Sequence, residues 1–370
     1  KVPIFQDESD IPDGIMIIPE YVLVFDSVKR TIFIIVTVLR PDALSIDMNS
    51  HYDAAKQRIQ VIKQEIGKST VPAKDIREKF STEYCVNETD RSDFIEKVRK
   101  CKDYVHQGEI IQAVLSRRKE IKTELDPFCI YQALGQLNPS PYLFFLNLKR
   151  FHLIGSSPEV LVKIQDGLLL TKPIAGTRKR AENAATDQRQ AECLLADPKE
   201  RSEHLMLVDL ARNDLGKVST AGSVEVTDFM QIEKYSHVMH LVSTVKGRLD
   251  KRFDSFDVIR AAFPAGTLTG APKKRAMEII SELEQQRRGP YGGMVFYLGF
   301  NGNMDSCITI RTIVHKDGIA YLQAGAGIVN DSKPEAEFEE TENKLSALYD
   351  AIFKIDTEIN GGNNHGTVNR

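Results

Sequence analysis

Pairs of β-prone runs separated by only two turn residues constrain this chain more than any other feature. Val160 to Ile164 meets Asp166-Gly167 and continues as Leu168 to Ile174, and Cys307 to Val314 meets Asp317-Gly318 before Ile319 to Ala324. Asp-Gly suits the left-handed backbone of a two-residue hairpin. Such tight connections dictate antiparallel pairing, because a parallel neighbour requires a long crossover. Other runs fit the same scheme: Tyr21 to Phe25 with Thr31 to Leu39, Pro141 to Leu148 with Phe151 to Ile154, and Met294 to Phe300 turning at Asn301-Gly302. Helical stretches lie between them. Phe94, Ile95, Val98, Cys101, Tyr104 and Val105 follow helical spacing after Asp90 or Ser92 as N-cap. Gln188 to Leu195 stops at Asp197-Pro198, and a second helix runs on to about Asn213. Pro272 to about Arg288 stops at Gly289-Pro290, and Glu335 to Ile355 is the last helix. The expected class is α+β, a sandwich of two antiparallel β-sheets with flanking helices. The expected divisions are an N-terminal sheet portion over 1–67, a polar linker over 68–91, a core over 92–357 and a polar, disordered tail over 358–370.

Charge and cysteine usage exclude several functions. The 49 Lys+Arg nearly balance the 52 Asp+Glu, and a net charge of -3 supplies no field for gripping nucleic acid or an anionic membrane. A small molecule or a protein is the expected partner. Cys85, Cys101, Cys129, Cys193 and Cys307 form no C-x-x-C pair and are odd in number, against a disulfide framework or a zinc site. They read as apolar residues of a reducing compartment. No apolar run nears the ~20 residues that span a bilayer, and no signal peptide precedes Val2-Pro3-Ile4. A cytoplasmic location is expected; the sequence begins with Lys1 rather than Met, which leaves organellar targeting open.

Several polar groups stand where a plain structural reading is strained. Glu200 and Glu203 are one helical turn apart, as are Glu337 and Glu340, so each pair points two carboxylates to one side. Two helices offering oxygen ligands can hold Mg²⁺ between them. Such pairs by themselves usually mark a solvated face, but Glu200 and Glu203 run directly into the apolar stretch Leu205 to Leu210, where unpaired carboxylates are costly. Gly266-Thr267-Leu268-Thr269-Gly270-Ala271-Pro272-Lys273 is a glycine-bounded loop opening a helix, either a turn with its cap or an anion-binding start. It is not a Walker A loop, and no G-x-G-x-x-G follows a strand. His237 and His240 lie one turn apart if helical, and a satisfied structural histidine is the alternative for either. Arg311 falls inside the run Ile308 to Thr312 and needs a carboxylate partner from protein or substrate. Gly325-Ala326-Gly327 closes the next strand, where absent side chains let a ligand reach backbone N–H groups.

Taken together, from about Phe94 to Ala351, these segments resemble the chorismate-utilising enzymes. The carriers are Gly108-Glu109-Ile110-Ile111-Gln112, Asn138-Pro139-Ser140-Pro141-Tyr142, Gly155-Ser156-Ser157-Pro158-Glu159, Pro173-Ile174-Ala175-Gly176-Thr177-Arg178, Glu203 to Asp214, the Thr267 loop, Gln323 to Gly327 and Glu340-Thr341-Glu342-Asn343-Lys344. The resemblance implies that 92–357 is a chorismate-binding catalytic core. It implies Glu203 and Glu340 as Mg²⁺ ligands, with Glu200 and Glu337 beside them and Lys344 adding positive charge. Tyr291, Arg311 and the Gly325–Gly327 backbone match the grip on the enolpyruvyl carboxylate. Glu159 matches the general acid for the departing C4 hydroxyl, His240 the histidine of pyruvate elimination, and Thr267 a ring contact. Asn138, Pro139, Ser140 and Tyr142 resemble one wall of a tryptophan feedback site, though the family's Leu-Leu-Glu-Ser half is not found before Tyr21; the plain alternative is a stiff lead into a strand. Lys179 and Ala181 depart from the family's usual Pro and Gly.

Two positions select among family members. Isochorismate- and salicylate-forming enzymes carry Lys at the place of Gln112, where it activates water; Gln cannot take that proton. Aminodeoxychorismate synthases carry Lys at the place of Ala175, where it can attack C2 covalently. The resemblance therefore implies ammonia at C2, loss of pyruvate and formation of anthranilate. The rivals are aminodeoxychorismate formation and a catalytically silent regulatory subunit, the second opposed by the intact Glu203, Glu340 and Arg311. Ammonia in this family usually comes from a glutamine amidotransferase subunit, and nothing in this chain resembles one. A hetero-oligomer is expected.

Overall fold

The computed structural model describes residues 10–39, 48–68, 87–235 and 238–360. The chain divides into two compact units, Pro12–Ile76 and a larger one comprising Lys1–Ile11 and Arg77–Arg370. The smaller contains the hairpin β1 (Tyr21–Asp26) and β2 (Thr31–Val36), then α1 (Met48–Lys68). Asp26 closes the turn by accepting from the amides of Val28 and Lys29 at 3.1 and 2.9 Å, so the charged turn sets the register Tyr21↔Val36. Helix α1 is absent from the sequence reading, although its periodicity is comparable to that of α2.

The larger unit runs β3 (Asn87–Glu88), α2 (Arg91–His106), β4 (Gln112–Lys122), α3 (Pro127–Leu137), β5 (Tyr142–Asn147), β6 (His152–Ser157), β7 (Lys163–Gln165), β8 (Leu168–Thr171), β9 (Ile174–Lys179), α4 (Ala184–Ala196), α5 (Pro198–Gly216), β10 (Glu225–Lys234) and β11 (Val238–Arg248). It continues with α6 (Ser255–Ala262), β12 (Gly270–Ala271), α7 (Lys273–Glu284), β13 (Met294–Leu298), β14 (Met304–Ile308), β15 (Thr312–Lys316), β16 (Ile319–Ile328) and α8 (Pro334–Asn360). One sheet has the order β10-β11-β8-β7-β14-β13 with β9 on β11, and the other the order β12-β4-β16-β15-β6-β5 with β3 on β4. The pairings are antiparallel, giving the α+β class read from the hairpins. Asp166-Gly167 and Asp317-Gly318 each take two consecutive positive φ angles, 51° and 76° and then 50° and 75°, as the two-residue turn demands. Asp90 caps α2, accepting from the Ser92 amide at 2.6 Å, and Asp197 followed by Pro198 starts α5.

Three runs differ from the sequence reading. Cys307 to Val314 is not one strand: Arg311 sits at φ 50°, breaking the pleat, so β14 joins one sheet and β15 the other. Leu168 to Ile174 is interrupted at Lys172-Pro173, since proline has no amide to donate to the ladder. Helix α7 stops at Glu284 rather than near Arg288, because Gln285 adopts the left-handed cap at φ 54°. Of the expected linker over 68–91, residues 69–86 fall outside the described residues, while Lys68 ends α1, Asn87–Glu88 form β3 and Arg91 opens α2; of the expected tail over 358–370, residues 358–360 continue α8 and 361–370 fall outside the described residues.

Helices α5 and α6 pack on the first sheet through Val162, Leu169, Val208, Leu215, Val245 and Val258. Helices α2 and α7 pack on the second through Phe94, Val98, Leu115, Ala276, Ile279 and Ala326, and α3 and α8 cover it further along through Ile121, Leu134, Ile154, Leu322, Leu348 and Ile352. Each of the Val, Leu, Ile and Phe side chains contributes about 1.5–3 kcal/mol by leaving water. The two acid-bearing helices, α5 and α8, are thus anchored to different sheets, and Arg311 lies where the chain crosses between them.

Candidate active site

Strand β16 pairs along its whole length with β4, setting Gly327 opposite Val114 and Gly325 opposite Ser116. These glycines are needed for close approach. A Cβ on Gly327 would stand 2.3 Å from Gln112 Nε2 and 3.6 Å from Glu203 Oε1, and one on Gly325 would stand 2.8 Å from Tyr291 Oη. Gln112, Glu203, Tyr291 and the glycine strand therefore converge. Gln112 is buried and its Oε1 has no hydrogen-bond partner, leaving an acceptor available inside the site. The ammonium of Lys344 donates to the Gly325 carbonyl at 2.8 Å and pairs with Glu340 at 2.6 Å. Arg311 donates from Nη1 to the Lys344 carbonyl at 3.3 Å. Its left-handed backbone, unusual outside glycine, aims the guanidinium out of both ladders.

Glu203 and Glu337 are held above the ordinary carboxylate range, chiefly by burial: Glu200 and Glu340 add to the rise at Glu203, while at Glu337 a hydrogen bond from Ser332 opposes it and Glu340 adds to it. Lys199 and Lys344 oppose the rise at both. The acids of α5 and α8 thus share one electrostatic field, although among the described residues no three His, Cys, Asp or Glu side chains form a ready-made metal cluster. Glu200 is partly engaged already, accepting from Arg178 at 3.4 Å, and Arg178 also donates to Asp197 at 3.1 Å. The sequence reading gave Arg178 no role, although it ends the Pro173–Arg178 motif.

Glu159 occupies a different setting. It is 8% exposed and faces a pocket lined mostly by apolar groups such as Leu161, Leu207, Leu210, Ala211 and Ile308, with Thr267 and Asp214 also on its wall. Burial pushes its carboxyl up to about 7, against smaller opposing effects of the Thr267 hydroxyl and the Lys344 charge. The Thr267 hydroxyl is directed to the Glu159 carboxyl, and it has no other hydrogen-bond partner among the described residues.

His240 lies on strand β11, so the helical spacing considered for His237 and His240 does not apply; His237 falls outside the described residues. Thr177 pairs with His240 and Ala175 with Leu241, which leaves Gly176 as an extra residue, a bulge with φ 59°. The bulge turns the Gly176 carbonyl to His240 Nδ1 at 3.0 Å, with Thr177 Oγ1 at 3.1 Å. A carbonyl only accepts, so Nδ1 carries the hydrogen and Nε2 keeps a free lone pair. Burial, followed by the Gly176 bond that opposes it and the Arg311 charge that assists, leaves the imidazole below its ordinary value. Ala175 is buried one residue before the bulge.

The remaining expected residues lie at the other end of the second sheet. Asn138 follows α3 and its carbonyl accepts from Ser156 Oγ; Pro139 and Ser140 lead to Tyr142, whose hydroxyl donates to Asp305 at 2.9 Å. That bond ties β5 to β14 across the two sheets. The segment is linked to the site through β6: the Ser156 amide donates to the Arg311 carbonyl at 3.0 Å, and Tyr142 pairs with Ser157, two residues before Glu159. Among the described residues no helix is long and apolar enough to cross a membrane.

Residues 3–350 match the family described as chorismate binding enzyme. The chain belongs to that family. As a chorismate binding enzyme it is similar to anthranilate synthase component 1 of Acetivibrio thermocellus, 47% identical over 352 residues covering 94% of this chain and 70% of that protein. It is also similar to the protein of the same description from Aquifex aeolicus, 46% identical with coverage of 92% and 68%. The solved structure of anthranilate synthase component I from Streptococcus pneumoniae matches with a TM-score of 0.77 at 38% identity, covering 89% of this chain and 72% of that one. The glycine strand, buried Glu159 and bulge-held His240 are therefore features of a chorismate binding enzyme.

Proposed function

We propose that this protein converts chorismate to anthranilate, adding ammonia at C2, expelling the C4 hydroxyl and then eliminating pyruvate. The observation that carries this reading is Glu159, a carboxyl pushed up to about 7 by burial in the same site as an imidazole with a free Nε2. One group is poised to give a proton near neutrality and the other to take one, as the two half-reactions require. Arg311 and Tyr291, with the Gly325–Gly327 backbone, hold the enolpyruvyl carboxylate; the guanidinium offers a fork suited to it. Glu159 gives its proton to the C4 oxygen, which leaves as water while the C2–N bond forms and the ring double bonds shift. The unpartnered Gln112 Oε1 accepts a hydrogen bond from the entering ammonia, and buried Ala175 leaves C2 unobstructed. In the second step His240 Nε2 takes the C2 proton, the C3–O bond breaks, and enolpyruvate departs to collect a proton and become pyruvate.

The hard oxygen donors Glu203 and Glu340, with Glu200 and Glu337 beside them, suit Mg²⁺, because their mutual repulsion is what a divalent cation relieves. When bound there it neutralises the ring carboxylate of chorismate. A separate glutamine amidotransferase subunit would supply ammonia, consistent with relatives described as component 1. Asn138 to Tyr142 is offered as a tryptophan-binding wall. The test is chorismate with Mg²⁺ and ammonium at alkaline pH, read by anthranilate fluorescence. Formation of aminodeoxychorismate or isochorismate instead would overturn the assignment.

A further inference from the structure

The connection after α7 carries a buried ion pair to which neither the sequence reading nor the proposed chemistry gives a role. Arg288 donates from Nε to Glu284 Oε2 at 2.8 Å and from Nη2 to Oε1 at 2.6 Å, with side chains 16% and 2% exposed. The same guanidinium donates from Nη1 to the Leu268 carbonyl at 2.7 Å and from Nη2 to the Val114 carbonyl at 2.6 Å. Glu284 Oε1 in turn accepts from the amide and hydroxyl of Ser116 at 2.7 and 2.9 Å, and Gln323 donates to that hydroxyl at 2.8 Å. Four of the five guanidinium N–H groups are thereby engaged.

The anchored atoms are not scattered. Leu268 follows Thr267, Val114 is two residues beyond Gln112, and Gln323 is two residues before Gly325. Tyr291 lies three residues past Arg288, with its ring centroid 5.6 Å from the guanidinium. Each segment that the pair grips therefore ends in a group that faces chorismate. A pair meant only to hold α7 on the sheet would not need to reach the Leu268 carbonyl, since Ala276, Ile279 and Ile280 already pack that helix.

Building on the function proposed above, we propose that Arg288 and Glu284 are positioning residues that fix the spacing of Thr267, Gln112, Tyr291 and the glycine strand, and so set chorismate affinity without touching substrate. Lysine cannot replace the fork, because an ammonium on a flexible stem cannot hold two carbonyls and a bidentate carboxylate together. Displacement of a binding wall by about 1 Å is worth on the order of 100-fold in rate.

The test compares Arg288→Lys, Glu284→Gln and the double replacement Glu284→Leu/Arg288→Met with wild type and with Arg252→Gln. Arg252 makes a bidentate pair with Asp250 at 3.0 Å on the surface, in the turn after β11 and outside the four anchored segments. Swapping a buried ion pair for an apolar pair commonly leaves a fold intact, so the double variant separates positioning from stability. Thermal unfolding, kcat and the chorismate KM are measured with ammonium and Mg²⁺. The expected result is a chorismate KM raised about tenfold or more in every Arg288 and Glu284 variant, kcat/KM lowered on the order of 100-fold, and Arg252→Gln unchanged. A merely structural pair would reduce the amount of active enzyme, lowering kcat at unchanged KM. That outcome, or wild-type KM in the folded double variant, would overturn the proposal. If the double variant does not fold, the KM of Arg288→Lys decides. Failure of wild type to make anthranilate would instead strike the functional reading.

Discussion

Glu159 and the acids of α5 and α8 face one site, yet their surroundings differ in kind. Glu159 sits in a mostly apolar pocket with no carboxylate among the causes of its shift; burial is the main cause that lifts it, with Thr267 and Lys344 opposing. Glu203 and Glu337 are lifted by burial too, but also by carboxylates on their own helix or the facing one. A proton is the natural way to neutralise the first, because only one charge is at stake in a dry niche. For the second group a shared divalent cation removes several repulsions at once. On the proposed function, one side-chain type would serve as proton donor in one setting and as metal ligand in the other, the division being set by whether neighbouring carboxylates are present.

The sharpest way to break the comparison is to remove the cation. Excess EDTA is expected to abolish anthranilate formation, and Glu203→Gln or Glu340→Gln to reduce turnover by orders of magnitude with the fold retained by circular dichroism. Full activity in EDTA would erase the distinction. Next in size is Glu159→Gln, which keeps shape and loses the proton; kcat is expected to fall by about 10²–10⁴-fold. The same variant should change the pH dependence of stability. Between 4.5 and about 7 the folded protein holds a proton at Glu159 that the unfolded chain releases, so this group makes stability fall as pH rises through that window. Glu159→Gln should remove that slope in urea titrations. His240→Met is expected to impair elimination more than amination, so that the aminated, pyruvate-bearing intermediate accumulates and is seen by chromatography. Equal losses in both steps would deny the division of labour. The smallest effect is expected at Tyr142→Phe, whose hydroxyl is committed to Asp305: about 1 kcal/mol of stability from that bond, and no change in kcat.

The hairpins were legible because two-residue turns leave a local signature, as Asp166-Gly167 and Asp317-Gly318 do. Arg311 was legible as a charge needing a carboxylate but not as a sheet-crossing residue, since its break in the pleat comes from two sheets competing for one run. Glu159 was found through its motif alone; the burial that makes it an acid arises from Leu207, Leu210 and Ile308, distant in sequence and joined only by packing. The bulge that orients His240 was equally hidden, because the Gly176 carbonyl meets the imidazole only after β9 pairs with β11. Arg288 and Glu284 gave no signal, since an ion pair four residues apart at a helix end usually lies in solvent.

The division between the two carboxylate settings can be tested at Glu159 itself. Infrared difference spectra across a pH series, with the Glu159 band identified by its loss in Glu159→Gln, report the protonated carboxyl directly. A carbonyl stretch disappearing with a midpoint near 7 is expected from burial in the apolar niche; a midpoint in the ordinary carboxylate range would show that Glu159 is ionised at neutrality and cannot be the acid.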